Sequence, residues 1–191
     1  QNCHASQVEV LWDGVEGQYE TRYKSLSIDC ESCHGPGREH REFHANQGAQ
    51  QTEDPMRSLV GLTPDESLDV CMRCHSTKSV TEAGYLPGRG YGNHFTQVHL
   101  VDDGLNALDA RGRIREFAYQ EGHLLSACYA KGAMVCTDCH TPHGLTYRDV
   151  NGRALSDWSD DGQCTGCHTG VVGDKHLHGG HAKGARCVDC H

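Results

Sequence analysis

Met134-Val135-Cys136-Thr137-Asp138-Cys139-His140-Thr141-Pro142-His143-Gly144 holds two cysteines three positions apart, a histidine directly after the second, and another histidine three residues on. The same Cys-x-x-Cys-His string returns at Cys30–His34, Cys71–His75, Cys164–His168 and Cys187–His191. Cys3-His4 is the second half of a sixth copy, which a cysteine just before Gln1 would complete. With 12 Cys and 15 His in 191 residues, random placement gives about 0.06 such strings in the whole chain. Five is not chance. On one turn of helix, residues i, i+3 and i+4 share a face, so each string aims two thiols and an imidazole at one place.

The composition shows a second anomaly. Leu, Ile, Val and Phe together are 32 of 191 residues, about the proportion at which a charged chain lacks the apolar surface to offset its conformational entropy. A solvated tail, however, has no use for this many cysteines and histidines. The formal charge of −9 speaks against nucleic acid or an anionic lipid surface as a partner, and no apolar run approaches the roughly 18 residues of a membrane span. The chain does not begin with Met and carries no secretory signal. It reads as a portion of a longer chain, cut at both ends, with residues 1–191 forming a single domain.

Both anomalies have one explanation. Cys-x-x-Cys-His is the attachment signature of c-type haem: the two thiols form thioethers with the vinyl groups of one porphyrin, and the adjacent imidazole reaches the iron. Covalently held macrocycles would replace the missing apolar core. Structural zinc wants pairs of Cys-x-x-Cys units and gives no reason for a histidine after each one. Disulfides between cysteines three apart would close loops too small to staple much. Six haems c are therefore expected, five from complete strings, attached at Cys3, Cys30, Cys33, Cys71, Cys74, Cys136, Cys139, Cys164, Cys167, Cys187 and Cys190. His4, His34, His75, His140, His168 and His191 are the proximal ligands. Cys128 stands outside the pattern and reads as a buried small residue.

Nine histidines remain. Six irons that each take a second imidazole need six of them, whereas Met56, Met72 and Met134 are too few, so bis-His, low-spin, low-potential iron is expected. His40 follows His34-Gly35-Pro36-Gly37, a turn that would throw the next helix toward a neighbouring haem. His143 is too close to His140 to serve the same iron and would serve an adjacent one. His178 lies in the cluster His176, His178, His181 ahead of the last string. His123 opens a helical stretch, and His94 follows the glycine-rich segment Pro87–Gly92. His44, His99, His176 and His181 compete for the sixth distal position.

Regular structure is expected to be scarce: short helices carrying each string, others at 38–47, from Pro64 to Cys71, and at 120–131, and room for one small β-hairpin. Phe95–Val101 has partial strand alternation, and Asn151-Gly152 reads as a turn. Residues 48–59 read as a polar surface loop. Asp157-Trp158-Ser159-Asp160-Asp161 matches no calcium loop and reads as a solvated acidic turn. First-cysteine intervals of 41, 65, 28 and 23 residues rule out a solenoid of fixed period.

Three strings carry a resemblance. Cys30-Glu31-Ser32-Cys33-His34-Gly35-Pro36-Gly37 with His40, the Met134–Gly144 stretch, and His178 with Gly184-Ala185-Arg186-Cys187-Val188-Asp189-Cys190-His191 resemble multihaem c-type cytochromes. The class is the one related to the tetrahaem cytochromes of nitrifying bacteria and found linked to tetratricopeptide repeats. The resemblance implies a mostly irregular fold organised around a stacked haem chain, His40, His143 and His178 as distal ligands, and a periplasmic, cell-surface or extracellular location. It also implies electron relay to other redox proteins. An electron carrier without a catalytic residue is the leading expectation, tuned by ligation, burial and nearby charges such as Glu31, Asp138 and Asp189. A subunit of an extracellular cytochrome filament, with copies of itself as partners, is the alternative. A nitrite- or hydroxylamine-type oxidoreductase would need an open iron position, and the supply of histidine argues against one.

Overall fold

The computed structural model describes residues 3–46, 53–98, 119–170 and 185–189. The chain divides into two compact units, Gln1–Ala133 and Met134–His191. Both are mostly irregular, with short helices and two-stranded antiparallel sheets. Among the described residues no helix is long and apolar enough to cross a membrane.

The first unit opens with a hairpin, β1 (Glu9–Asp13) and β2 (Gln18–Arg22), paired from Glu9↔Arg22 to Asp13↔Gln18. Asp13 closes its turn by accepting the N–H groups of Val15 and Glu16 at 2.8 and 3.1 Å, and Gly17 takes the positive φ that returns the chain. The hairpin presents Val10, Leu11, Trp12, Val15 and Tyr19 to the outside. After it come α1 (Glu31–His34) and α2 (Arg38–Ala45). The long helix α3 (Pro64–His75) is started by local signals: Thr63 and Glu66 form a reciprocal capping box, and Pro64 sits at the first helical position. β3 (Lys78–Val80) pairs with β4 (Phe95–Gln97), and α4 (Tyr91–His94) runs directly into β4. The buried Gln120, on α5 (Tyr119–Leu124), accepts the N–H of Thr77 at 3.1 Å and donates to the carbonyls of Thr77 and Val98.

The second unit contains the pair β5 (His140–Thr141) and β6 (Thr146–Tyr147), a bridge from Arg148 to Ala154, and α7 (Gly162–Thr165). Asp149 knots the turn after β6. Its carboxylate accepts the N–H groups of Asn151 and Arg153 and the Arg153 guanidinium. Gly162 is closely approached: a Cβ there would stand 2.5 Å from Leu155 Cδ2, and that side chain would have to shift.

Apolar burial is sparse. Among the described residues the buried apolar side chains are Ala5, Leu68, Met72, Tyr85, Tyr91, Phe95 and Leu155, far short of the core that a chain of this size ordinarily assembles.

Several expectations change. Among the described residues there are three two-stranded pairings rather than one, and the hairpin β1–β2, punctuated by Asp13-Gly14…Gly17, adds to the expected elements. The strand at Phe95 pairs backward with β3, and residues 99–101 lie outside the described residues. The helix expected over 120–131 is broken into α5 and α6 (Ala127–Gly132). Ser126 is extended there, donates to the His123 carbonyl at 2.7 Å and caps Tyr129 N–H, which starts a new helix. Cys128 is exposed rather than buried, because α6 buries none of its side chains. The acidic turn is closed on itself: Asp157 accepts from Ser159, Asp160 from Ser156 and Gly162, and Asp161 from the Cys187 N–H.

Candidate functional site

The Cys-x-x-Cys-His strings are built on different backbones. Cys30–His34 spans α1, where Asp29 accepts the Ser32 N–H at 3.1 Å and Glu31 accepts the Gly37 N–H at 2.8 Å, bending the chain into α2. Cys71, Cys74 and His75 occupy the end of α3, with both cysteines half-buried and His75 exposed. Cys136–Asp138 is a 3₁₀ turn and His140 already belongs to β5. Cys164 sits in α7, and Cys167 and His168 follow it. Cys187–Asp189 is again a 3₁₀ turn. The expectation of a helix under every string is thus corrected at two places. In both, an aspartate inside the string folds back onto the N–H before the first cysteine: Asp138 accepts from Val135 at 2.9 Å and Asp189 from Arg186 at 2.8 Å. That local bond closes a tight turn.

Within each unit the strings gather. In the first, Cys3 Sγ lies 3.4 Å from the Cys74 carbonyl, and the buried Arg73 donates to the Ser32 carbonyl at 2.9 Å. Residues of three cysteine strings distant in sequence therefore meet around α3. In the second, the Cys187 N–H bonds Asp161 at 2.8 Å and its thiol faces Cys164. Burial, with Asp161 and Cys164 beside it, pushes the Cys187 thiol up to about 11. Burial also raises Cys33 and Cys74. Among the described residues no cysteine is joined in a disulfide.

The histidines show how an imidazole is oriented. His34 Nδ1 meets the Arg57 carbonyl at 2.9 Å. His94, buried at the end of α4 beside Tyr85 and Phe95, directs Nδ1 to the Glu82 carbonyl at 3.1 Å. His40, on α2, directs Nδ1 to the Asp54 carboxylate at 2.7 and 2.8 Å. Tying Nδ1 selects the tautomer and presents Nε2 to a metal. His44 is the reverse case, with Nε2 on Asp54 at 3.0 Å. One donor atom from each of His40, His44 and Asp54 lies within 4.8 Å of the others. The two imidazoles, with His40 contributing most, hold the Asp54 carboxyl well below the usual carboxylate range. His123 is half-buried 5.4 Å from the Tyr129 ring, and His143 is exposed in the turn between β5 and β6. His4 is exposed beside Cys3. His99, His176, His178, His181, Cys190 and His191 lie outside the described residues.

Sequence reasoning missed Asp54 and Arg73. Nothing local couples Asp54 to His40 across 14 positions, or Arg73 to Ser32 across 41. It also missed the groove lined by Val8, Val10, Val80, Tyr85 and Phe95 with Arg73 and Lys78 at its edge. Burial pushes the Tyr85 phenol up to about 12, so it stays neutral below Arg73, whose guanidinium lies 5.8 Å from its ring centre.

The chain is 25% identical over 198 residues to "Multiheme cytochrome MtrA" of Shewanella baltica (strain OS185), covering 91% of this chain and 53% of that one. The chain is homologous to a multihaem cytochrome. It spans about half the length of that curated relative, and together with the five complete strings the homology supports a multihaem c-type cytochrome. No protein-family model matches it. The solved structure of the outer cell wall cytochrome OcwA gives a TM-score of 0.46 at 18% identity, over 81% of this chain and 36% of that one.

The residues present fit haem c. α3 places two thiols and an imidazole at i, i+3 and i+4. His40 and His94 present Nε2 from tied rings. Exposed apolar side chains, Val10, Trp12, Tyr19, Leu26 and Ile28 among them, are the kind of surface that a flat apolar ring covers.

Proposed function

We propose that this chain conducts electrons along about six covalently bound, mainly bis-His haems c, in one multihaem domain over residues 1–191, and carries no catalytic site. The observation that carries the reading is the gathering of attachment sites around α3, through Cys3 to Cys74 and Arg73 to Ser32. Electron tunnelling falls exponentially with distance, so a relay needs its carriers packed this way. When bound, the haem supplies an iron that alternates between ferric and ferrous states.

The chain's own residues attach, orient and shield. The thiols at Cys3, Cys30, Cys33, Cys71, Cys74, Cys136, Cys139, Cys164, Cys167, Cys187 and Cys190 anchor. His4, His34, His75, His140, His168 and His191 ligate on one side, and His40, His94, His123, His143 and His178 on the other. Carbonyls of Arg57 and Glu82 set the ring orientation of His34 and His94. The finer kinship is with the tetrahaem and tetratricopeptide-linked cytochromes, on the strings at Cys30, Met134 and His178. The location is periplasmic, cell-surface or extracellular, and the partners are other redox proteins or copies of this chain.

Intact mass together with a pyridine haemochrome assay tests this. Six haems per chain are expected. Five would mean that Cys3 anchors none, and a colourless protein would overturn the reading.

A further inference from the structure

The cluster on α2 bears on His44, one of the four histidines that compete for the sixth distal position, and on His40 beside it. His40 and His44 are four residues apart, so they share a helical face, and their rings meet edge-on at 4.6 Å. Asp54 bridges them and is held in place from behind by the Met56 N–H at 2.9 Å. The two rings use opposite nitrogens. His40 spends Nδ1 on the carboxylate, which leaves the outer nitrogen, Nε2. His44 spends Nε2 and keeps only Nδ1, the nitrogen next to its own Cβ and helix backbone, where a flat macrocycle would collide with α2.

The imidazoles of His34, His94 and His40, each met at Nδ1, also differ in what meets them. His34 and His94 meet neutral backbone carbonyls, whereas His40 meets a carboxylate. A charged acceptor raises the basicity of the imidazole it orients and favours the higher oxidation state of the metal bound opposite.

We propose that Asp54 is the positioning residue of a haem whose distal ligand is His40, that His44 braces Asp54 and does not ligate, and that this haem is held lower in potential than a carbonyl-tied counterpart. The inference rests on the multihaem reading and deepens it by assigning one ligand and one potential-setting carboxylate.

The test is a dithionite titration of the haem-loaded protein, followed by visible absorption and by electron paramagnetic resonance, with haem count per chain checked by intact mass for every variant. Asp54→Asn keeps an acceptor but removes the charge. It is expected to favour the ferrous state of one haem by about tenfold, an upward move of about 59 mV for a one-electron couple, with every haem still low-spin and the other midpoints unmoved. Asp54→Glu should return that midpoint toward its original value. His40→Ala should turn one haem high-spin, and His44→Gln should leave all of them low-spin.

A high-spin haem from His44→Gln, with none from His40→Ala, would make His44 the ligand and overturn the assignment. Midpoints unmoved in Asp54→Asn and in Asp54→Leu, at full haem count, would remove the role of Asp54 while the multihaem reading stood. Zn²⁺ retained by the haem-loaded protein and released by His44→Gln would mean that the triad holds a separate metal, and would overturn the proposal too. A parent protein without haem would instead sink the functional reading beneath it.

Discussion

Cys71–His75 and Cys136–His140 are the same five-position string on two unlike supports. The first ends a twelve-residue helix that is capped at Thr63, led in by Pro64 and packed through Leu68, Met72 and Arg73. The second is a three-residue 3₁₀ turn held by Asp138 folding onto the Val135 N–H, after which the histidine joins a strand. Cys187–Asp189 repeats the second solution with Asp189 and Arg186. The spacing demanded by two thiols and an imidazole does not select a backbone. The residues between the cysteines do, with an aspartate before the second cysteine choosing the tight turn.

The largest effect that would sharpen this contrast is Leu68→Ala. Leu68 is nearly fully buried under the helix that carries Cys71, and truncating it should cost about 2–5 kcal/mol in chemical denaturation. A loss below about 1 kcal/mol would show that α3 is held by its haem rather than by its side chains. Next in size is Arg73→Met, which strands the Ser32 carbonyl at a cost of about 1–3 kcal/mol. It should also alter the spectral coupling of the haems at Cys33 and Cys74, and unchanged spectra would break the link drawn between those sites.

Thr63→Ala and Asp138→Ala form a matched pair, each removing one local cap. The first should cost about 1 kcal/mol and the second about 0.5–1.5 kcal/mol. Circular dichroism should register helix loss only for the first, and equal loss from both would contradict the assignment of two backbones.

The smallest effect is the acid response of the turns in the second unit. In the second unit, Asp149 is depressed chiefly by the Arg153 N–H, Asp157 by the Ser159 hydroxyl and N–H, and Asp160 by the Gly162 N–H, all below the ordinary 3.8. A carboxyl whose folded pKa is lowered stabilises the fold above its unfolded value and loses that stabilisation as pH falls through the folded one. Stability at these turns should therefore be flat from pH 7 to 5 and decline below 3.8. Asp149→Asn should make the decline shallower, as followed by fluorescence of Trp158. An unchanged acid limb would remove Asp149 from the account.

Much of the site was legible in one dimension. The Cys-x-x-Cys-His spacing and the start of α3 at Thr63-Pro64-Asp65-Glu66 rest on positions within four residues of one another, which a sequence displays directly. The hairpin at Glu9–Arg22 was legible too, in the turn residues after Asp13, but its strands expose both faces and so lack the alternation that marks a half-buried strand. The break at Ser126 escaped because a serine inside a helical pattern gives no sign of whether its hydroxyl will cap or point to solvent.

What the sequence by itself determined is the supply of donors: paired sulfurs with an imidazole at fixed spacing, and little aliphatic bulk to fill an interior. What only the tertiary structure decided is which nitrogen each imidazole spends and which attachment sites meet. His40 with Asp54, Arg73 with Ser32 and Cys3 with Cys74 are joined across 14, 41 and 71 positions. Such contacts arise from how segments pack once their loops have closed, and no local spacing records them.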